Sequence, residues 1–201
     1  VVIATYNKAK AGEMVTILRE RFHSIPITTL EDFPGAPEPE EDGATYRDNA
    51  IIKAESAVHF TQQWCIADDA GLEIDALDGA PGVHSRRFEG KDTPFPEKMA
   101  IILDRMKDVP EENRGARFVC CVALACQDKP SQVFEAACEG RIALEPHGSG
   151  GFGYDPIFFL PELGCTMAEL TPAQKHAISH RGKVLKLLGD HLEACMKSER
   201  S

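Results

Sequence analysis

Two consecutive carboxylates, Asp68 and Asp69, directly follow the apolar run 64–67. Carboxylates at the end of a buried strand are costly unless they are paired. An extended chain sends successive side chains to opposite faces. One of the two therefore faces a reactive site, where it can bind Mg²⁺ or activate water. The other is expected to accept hydrogen bonds from the following Ala70-Gly71, and a solvated turn explains the same residues. Thr5, Asn7 and Lys10 sit where the apolar segment 1–4 passes into a helix. The unpaired N–H groups and positive dipole end of a helix start suit phosphate, and these side chains add hydroxyl, amide and ammonium donors. Simple capping by Thr5 or Asn7 is the alternative. No G-x-x-x-x-G-K-[ST] loop occurs.

Residues 148–153, G-S-G-G-F-G, match G-x-G-x-x-G by letter. That fingerprint needs a strand before it and a helix after it. Here Glu145-Pro146 precedes, and Tyr154-Asp155-Pro156 leads into four apolar residues. The segment is a loop entering a strand, so a dinucleotide fold is rejected. Glycines still allow close backbone approach to a ligand, and Phe152 offers a flat stacking face. Ser179-His180-Arg181-Gly182-Lys183, with Lys175 upstream, clusters donors at the start of the last helix. They suit an anion or a purine carbonyl, or equally a cap with solvated neighbours. Spacing reveals no Ser-His-Asp or Cys-His set.

The elements that must position these groups follow from periodicity. Met14, Ile17, Leu18 and Phe22 form one helical face, and Ile51, Ala54 and Val58 another, within a helix over 47–63. Residues 25–30 suggest a second strand. Residues 31–43 hold three prolines, two glycines and six acids, which makes a loop. Leu72, Ile74 and Ala76 alternate with polar residues as in a half-buried strand. Thr93-Pro94 reads as a helix start, with Thr93 as cap. Residues 118–126 are the clearest buried strand, 132–144 a further strand or pair, and 157–160 another. Val184, Leu185, Leu188 and Leu192 line the last helix. Consecutive strands across 118–144 predict a mixed α/β fold: a partly antiparallel central sheet with flanking helices, forming one domain over 1–201.

With 22 basic and 32 acidic residues the net charge is −10, which argues against a nucleic-acid binder. A small polyanion would need a metal or a local basic funnel. The seven cysteines include no C-x-x-C pair, so reduced thiols and a cytoplasmic location are expected. No apolar run approaches the ~20 residues of a membrane helix, so no membrane association is expected.

Taken in order, T-x-N-x-x-K, A-D-D-x-G-L-x-[VI]-D-A-L-x-G-A-P-G-V-x-S, G-G-F-G-Y-D-P-I-F and A-I-S-H-R-G-K form a distinctive series. It resembles the inosine/xanthosine triphosphate pyrophosphatase family, closest to the bacterial branch, over nearly the whole chain. The resemblance implies an elongated, two-lobed homodimeric protein with a cleft, hydrolysing ITP, dITP and XTP to the monophosphate and pyrophosphate with Mg²⁺. By motif position, Thr5, Asn7 and Lys10 would hold the triphosphate. Asp69 would be general base and metal ligand, with Glu40 as second ligand and Glu41 as the alternative. Phe152, Gly153, Tyr154, Asp155, Lys175, His180 and Arg181 would surround the nucleotide. Three positions depart from the pattern. Ala70 replaces a Ser and leaves only a backbone contact to substrate. Ala9 replaces a Gly and is expected to tighten its loop, and Asp48 replaces a Glu. A pyrophosphatase for other modified nucleotides lacks the His180-Arg181 signature, while a catalytically silent nucleotide-binding regulator is kept open by Ala70.

Overall fold

The structure is a computed structural model and describes residues 1–198; the last three residues of the expected domain lie outside them. In chain order the main elements are β1 (Val2–Ile3), α1 (Lys8–Arg21), β2 (Thr28–Thr29), α2 (Tyr46–Thr61), β3 (Cys65–Ile74), α3 (Phe95–Arg105), β4 (Gly115–Cys126), β5 (Lys129–Ile142), β6 (Phe158–Leu160), β7 (Cys165–Thr166), α4 (Pro172–Ile178) and α5 (His180–Ser198). The strands form one seven-stranded sheet in the order β2-β1-β3-β4-β5-β6-β7. It is mixed, as expected: β1 pairs parallel with β2 and β3, while β6 pairs antiparallel with β5 and β7.

The described chain forms two compact units, 1–69 with 120–136 and the C-terminal segment from 181, and 70–119 with 137–180. In the first unit, α1 and α2 supply the crossovers that parallel neighbours require. Asn7 caps α1 by accepting a hydrogen bond from the Lys10 amide at 3.1 Å. Thr45 and Asp48 form a reciprocal capping box at the start of α2. That role needs only a carboxylate three residues into the helix, which accounts for Asp48 where Glu is usual. In the second unit, Leu72, Ile74, Ile102, Met106, Phe118, Ile142, Ile157 and Phe158 form one buried apolar cluster.

Several boundaries differ from expectation. β3 does not stop at the aspartates but runs through Asp68, Asp69, Ala70 and Gly71 as one strand. β2 keeps only two residues of the expected 25–30, and Pro94 rather than Thr93 caps α3. β7 and α4 carried no clear periodic signal, being two and seven residues long. Ala9 lies within regular α1, exposed, so no loop is tightened there. Among the described residues no helix is long and apolar enough to cross a membrane, and each of the seven cysteines is a thiol.

Candidate functional site

Strand alternation separates the two aspartates. Asp68 is 1% exposed, and its Oδ2 meets Lys10 Nζ of α1 at 3.1 Å and Arg181 Nη2 of α5 at 3.0 Å. The expected partners in Ala70-Gly71 are not the ones it uses, because that segment stays in the strand. Burial alone would raise the Asp68 carboxyl, but Lys10, Arg181 and Lys53 outweigh it and hold it well below the usual carboxylate range.

Asp69 turns instead to α2. Its Oδ1 accepts from Lys53 Nζ at 3.1 Å and its Oδ2 from Asn49 Nδ2 at 3.2 Å. Asn49 and Lys53 are four residues apart and so share one helical face. Burial pushes the Asp69 carboxyl above its ordinary value; Lys53 and Lys10 pull it back only in part, and Glu41 adds to the push. Burial also opposes the Lys53 charge, but Asp69, Asp68 and Glu41 together overcome it and raise its value.

Lys53 Nζ also lies 3.4 Å from Glu41 Oε2. Thus Glu41, the alternative of the sequence reading, shares a cation with Asp69, while Glu40 is exposed. Among the described residues no group of three or more His, Cys, Asp or Glu side chains could hold a metal. Two converging hard carboxylates nevertheless suit Mg²⁺, which is held by one or two carboxylates plus water and phosphate oxygens. The Lys53 ammonium already shows that a cation is stabilised between them.

Thr5 Oγ1 accepts from the Asn7 amide at 3.2 Å, so Thr5 and Asn7 shape the start of α1 through their oxygens. The first turn of α1 carries Lys8 and Lys10 but no acid, against the usual preference for negative charge at that end. Lys8 pairs with exposed Glu31 at 3.2 Å. Ala70 is partly exposed between Asp69 and Gly71.

The second unit brings Phe152, Gly153, Tyr154, Asp155 and Lys175 together. Asp155 Oδ2 accepts from Lys175 Nζ at 2.7 Å and from the Phe152 amide at 2.8 Å. The Lys175 ammonium lies 4.5 Å from the centroid of the Phe152 ring, a cation–π contact. Gly151 has φ +68°, and a Cβ there would lie 2.0 Å from Asp155 Oδ2, so glycine is what lets the carboxylate close this loop. Tyr154 is buried, packs edge-on against Phe95 at 5.1 Å, and donates its hydroxyl to Ser85 O at 2.8 Å. It anchors the loop. His180 is buried and stacked on Phe118 at 4.8 Å. Arg181, expected beside the nucleotide, is 2% exposed and bound by Asp68 and, at 2.7 Å, by Glu13.

Sequence reasoning missed Lys53, Asn49, Glu13 and Ser85. The i, i+4 pair Asn49 and Lys53 beside the apolar stripe of α2 was the one available signal for the first two. Ser85 is a hub, accepting from Leu72 N at 2.8 Å and donating to Gly82 O at 2.6 Å.

The model of the Ham1 family matches residues 1–191. A protein of Geobacillus kaustophilus (strain HTA426) named "dITP/XTP pyrophosphatase" is 47% identical over 96% of this chain and 94% of its own. A protein of the same name from Geobacter sulfurreducens is 46% identical over 95% of each chain. Among solved structures, a HAM1 protein from Coxiella burnetii superposes with a TM-score of 0.86 at 40% identity, covering 96% of this chain and 98% of that one. The nucleoside-triphosphatase, dITP/XTP pyrophosphatase, of Mycobacterium abscessus gives 0.75 at 41% identity, covering 93% and 97%. Matched over nearly its whole length in both sequence and structure, this chain belongs to the Ham1 family.

Proposed function

We propose that this chain hydrolyses deaminated purine nucleoside triphosphates, namely dITP, ITP and XTP, to the monophosphate and pyrophosphate. The observation that carries the reading is the convergence of Asp69 and Glu41 on one buried ammonium, on the strand where Asp68 meets Lys10. The names of the relatives support the substrate class.

Asp69 and Glu41 would hold Mg²⁺, which when bound neutralises phosphate charge and polarises the phosphoryl group. Asp69 takes a proton from the water that attacks the α-phosphorus in line. A carboxylate raised by burial is a stronger base than an exposed one, which suits that task. Lys10 and the amides at the start of α1 bind the triphosphate and stabilise the departing pyrophosphate. The family resemblance assigns the purine to the residues around Phe152. Phe152, backed by Lys175 and Asp155, provides a stacking face. Lys175 therefore serves the base end.

Selectivity rests on the purine 6-position, an oxygen acceptor in hypoxanthine and xanthine but an amino donor in adenine. A donor from His180 or a loop amide bonds the oxygen and faces the amino group unfavourably. Sites matched in this way discriminate by about 10⁴. The family resemblance also carries a homodimer, which sedimentation would test, and the thiol content carries a cytoplasmic location.

The test is one assay of dITP, XTP, dGTP and dATP with Mg²⁺, reading pyrophosphate and orthophosphate separately. Pyrophosphate from dITP and XTP, with dATP left intact, is expected. Orthophosphate as first product, or equal rates on dATP, would remove the reading. Binding without turnover would favour a regulator.

A further inference from the structure

Asp68 is adjacent to the proposed base, yet the hydrolysis makes no use of it. Its Oδ2 alone collects Lys10 Nζ at 3.1 Å and Arg181 Nη2 and Nε at 3.0 and 3.3 Å. Its Oδ1 is buried and accepts no hydrogen bond. An unsatisfied buried acceptor is unfavourable, and apolar side chains often replace buried ion pairs without loss. Stability therefore does not call for two cations on a single oxygen.

The two cations differ in freedom. The Arg181 side chain is 3% exposed and is fixed at its far end by Glu13 at 2.7 Å. The Lys10 side chain keeps 16% exposure, and an ammonium carries three donors. Given the reading in which Lys10 binds the triphosphate, we infer that Asp68 is a positioning residue. Held by Arg181, it fixes the Lys10 ammonium so that its remaining N–H groups meet the phosphate already aimed. Ordering a flexible lysine before the ligand arrives removes an entropy loss that binding otherwise carries. Lys10, Asp68, Arg181 and Glu13 thus form one chain of alternating charge joining α1, β3 and α5.

Calorimetry with inorganic tripolyphosphate and Mg²⁺ on the wild type, Asp68→Asn, Lys10→Met and the double variant tests this. Each single change should weaken binding roughly tenfold or more, and the double should be no weaker than Lys10→Met alone. Wild-type affinity in Asp68→Asn, or losses that multiply in the double, would overturn the inference. Tripolyphosphate binding needs no turnover. A failed cycle in an enzyme that hydrolyses dITP therefore sinks the positioning role alone. An intact cycle without dITP hydrolysis sinks the functional reading and still supports the positioning role. Should Asp68→Asn not fold, ¹⁵N-lysine spectra of the wild type decide. A slowly exchanging ammonium signal that vanishes in Lys10→Met and persists with tripolyphosphate is expected. A Lys10 signal exchanging as fast as an exposed lysine's would overturn the inference.

Discussion

The group around Asp68 and Asp69 and the group around Phe152 hold their functional side chains by different means. In the first unit most of the order comes from charge, and two cations are shared: Lys53 between Asp69 and Glu41, Arg181 between Asp68 and Glu13. In the second unit the buried ion pair of Lys175 with Asp155 supports a ring and a glycine loop, alongside packing and hydrogen bonds to the backbone. Under the proposed function the triphosphate would bring negative charge to a group whose own acids oppose it, so a metal ion is called for there. A ring propped by one ion pair fits a flat, uncharged group. The difference teaches that shared charge orders the first group, whereas ring packing and a glycine loop order the second.

The largest effect that would break this comparison is at Asp69. Asp69→Asn keeps the size of the side chain but removes the base, so kcat for dITP should fall by about 10²–10⁴, with the circular dichroism spectrum unchanged. Retained activity would move the base elsewhere.

Removing one partner of a buried pair leaves the other uncompensated, at about 3–5 kcal/mol. Both Lys175 and Asp155 are about 5% exposed or less. Asp155→Asn should therefore lower stability in chemical denaturation by an amount in that range. It should also weaken inosine binding more than tripolyphosphate binding. Equal weakening of both ligands would mean that the two ends are not separable.

Tyr154→Phe removes a single hydroxyl and leaves the Ser85 carbonyl unmatched, an expected loss of about 1–2 kcal/mol. Burial holds the Tyr154 phenol above its ordinary value of 10.0. The native state thus favours the protonated form, and the stability this gives is complete below pH 10.0 and lost as pH rises beyond it. Its phenolate absorbance should emerge only with unfolding, and Tyr154→Phe should flatten the alkaline arm of the stability curve. The smallest effect belongs to Ala9, exposed in the first turn of α1. Ala9→Gly, the residue usual in the bacterial pattern, should lower stability by at most about 1 kcal/mol with hydrolysis unchanged.

Most of the fold was legible where periodicity was long: α1, α2, α5 and the buried strand β4 all lie close to where their apolar spacing puts them. The aspartates were the main exception. Asp-Asp-Ala-Gly reads as the end of a strand because local sequence offers no neutralising charge. The cations come from Lys10, Lys53 and Arg181, the last of them 113 positions beyond Asp68, and they let β3 continue. The 148–153 loop was legible as glycine-rich, but the fixed Asp155 carboxylate that demands Gly151 was not. The motif order that singled out Arg181 gave no sign of its ion pairs with Asp68 and Glu13. Glu40 and Glu41 are neighbours of identical type, so only a three-dimensional contact, that of Glu41 with Lys53, separates them.

The most direct measurement is hydrolysis of dITP in ¹⁸O-labelled water with Mg²⁺, with mass spectrometry of both products. Attack at the α-phosphorus puts the label in the deoxyinosine monophosphate and leaves the pyrophosphate unlabelled. Label in pyrophosphate, or in orthophosphate, would contradict it.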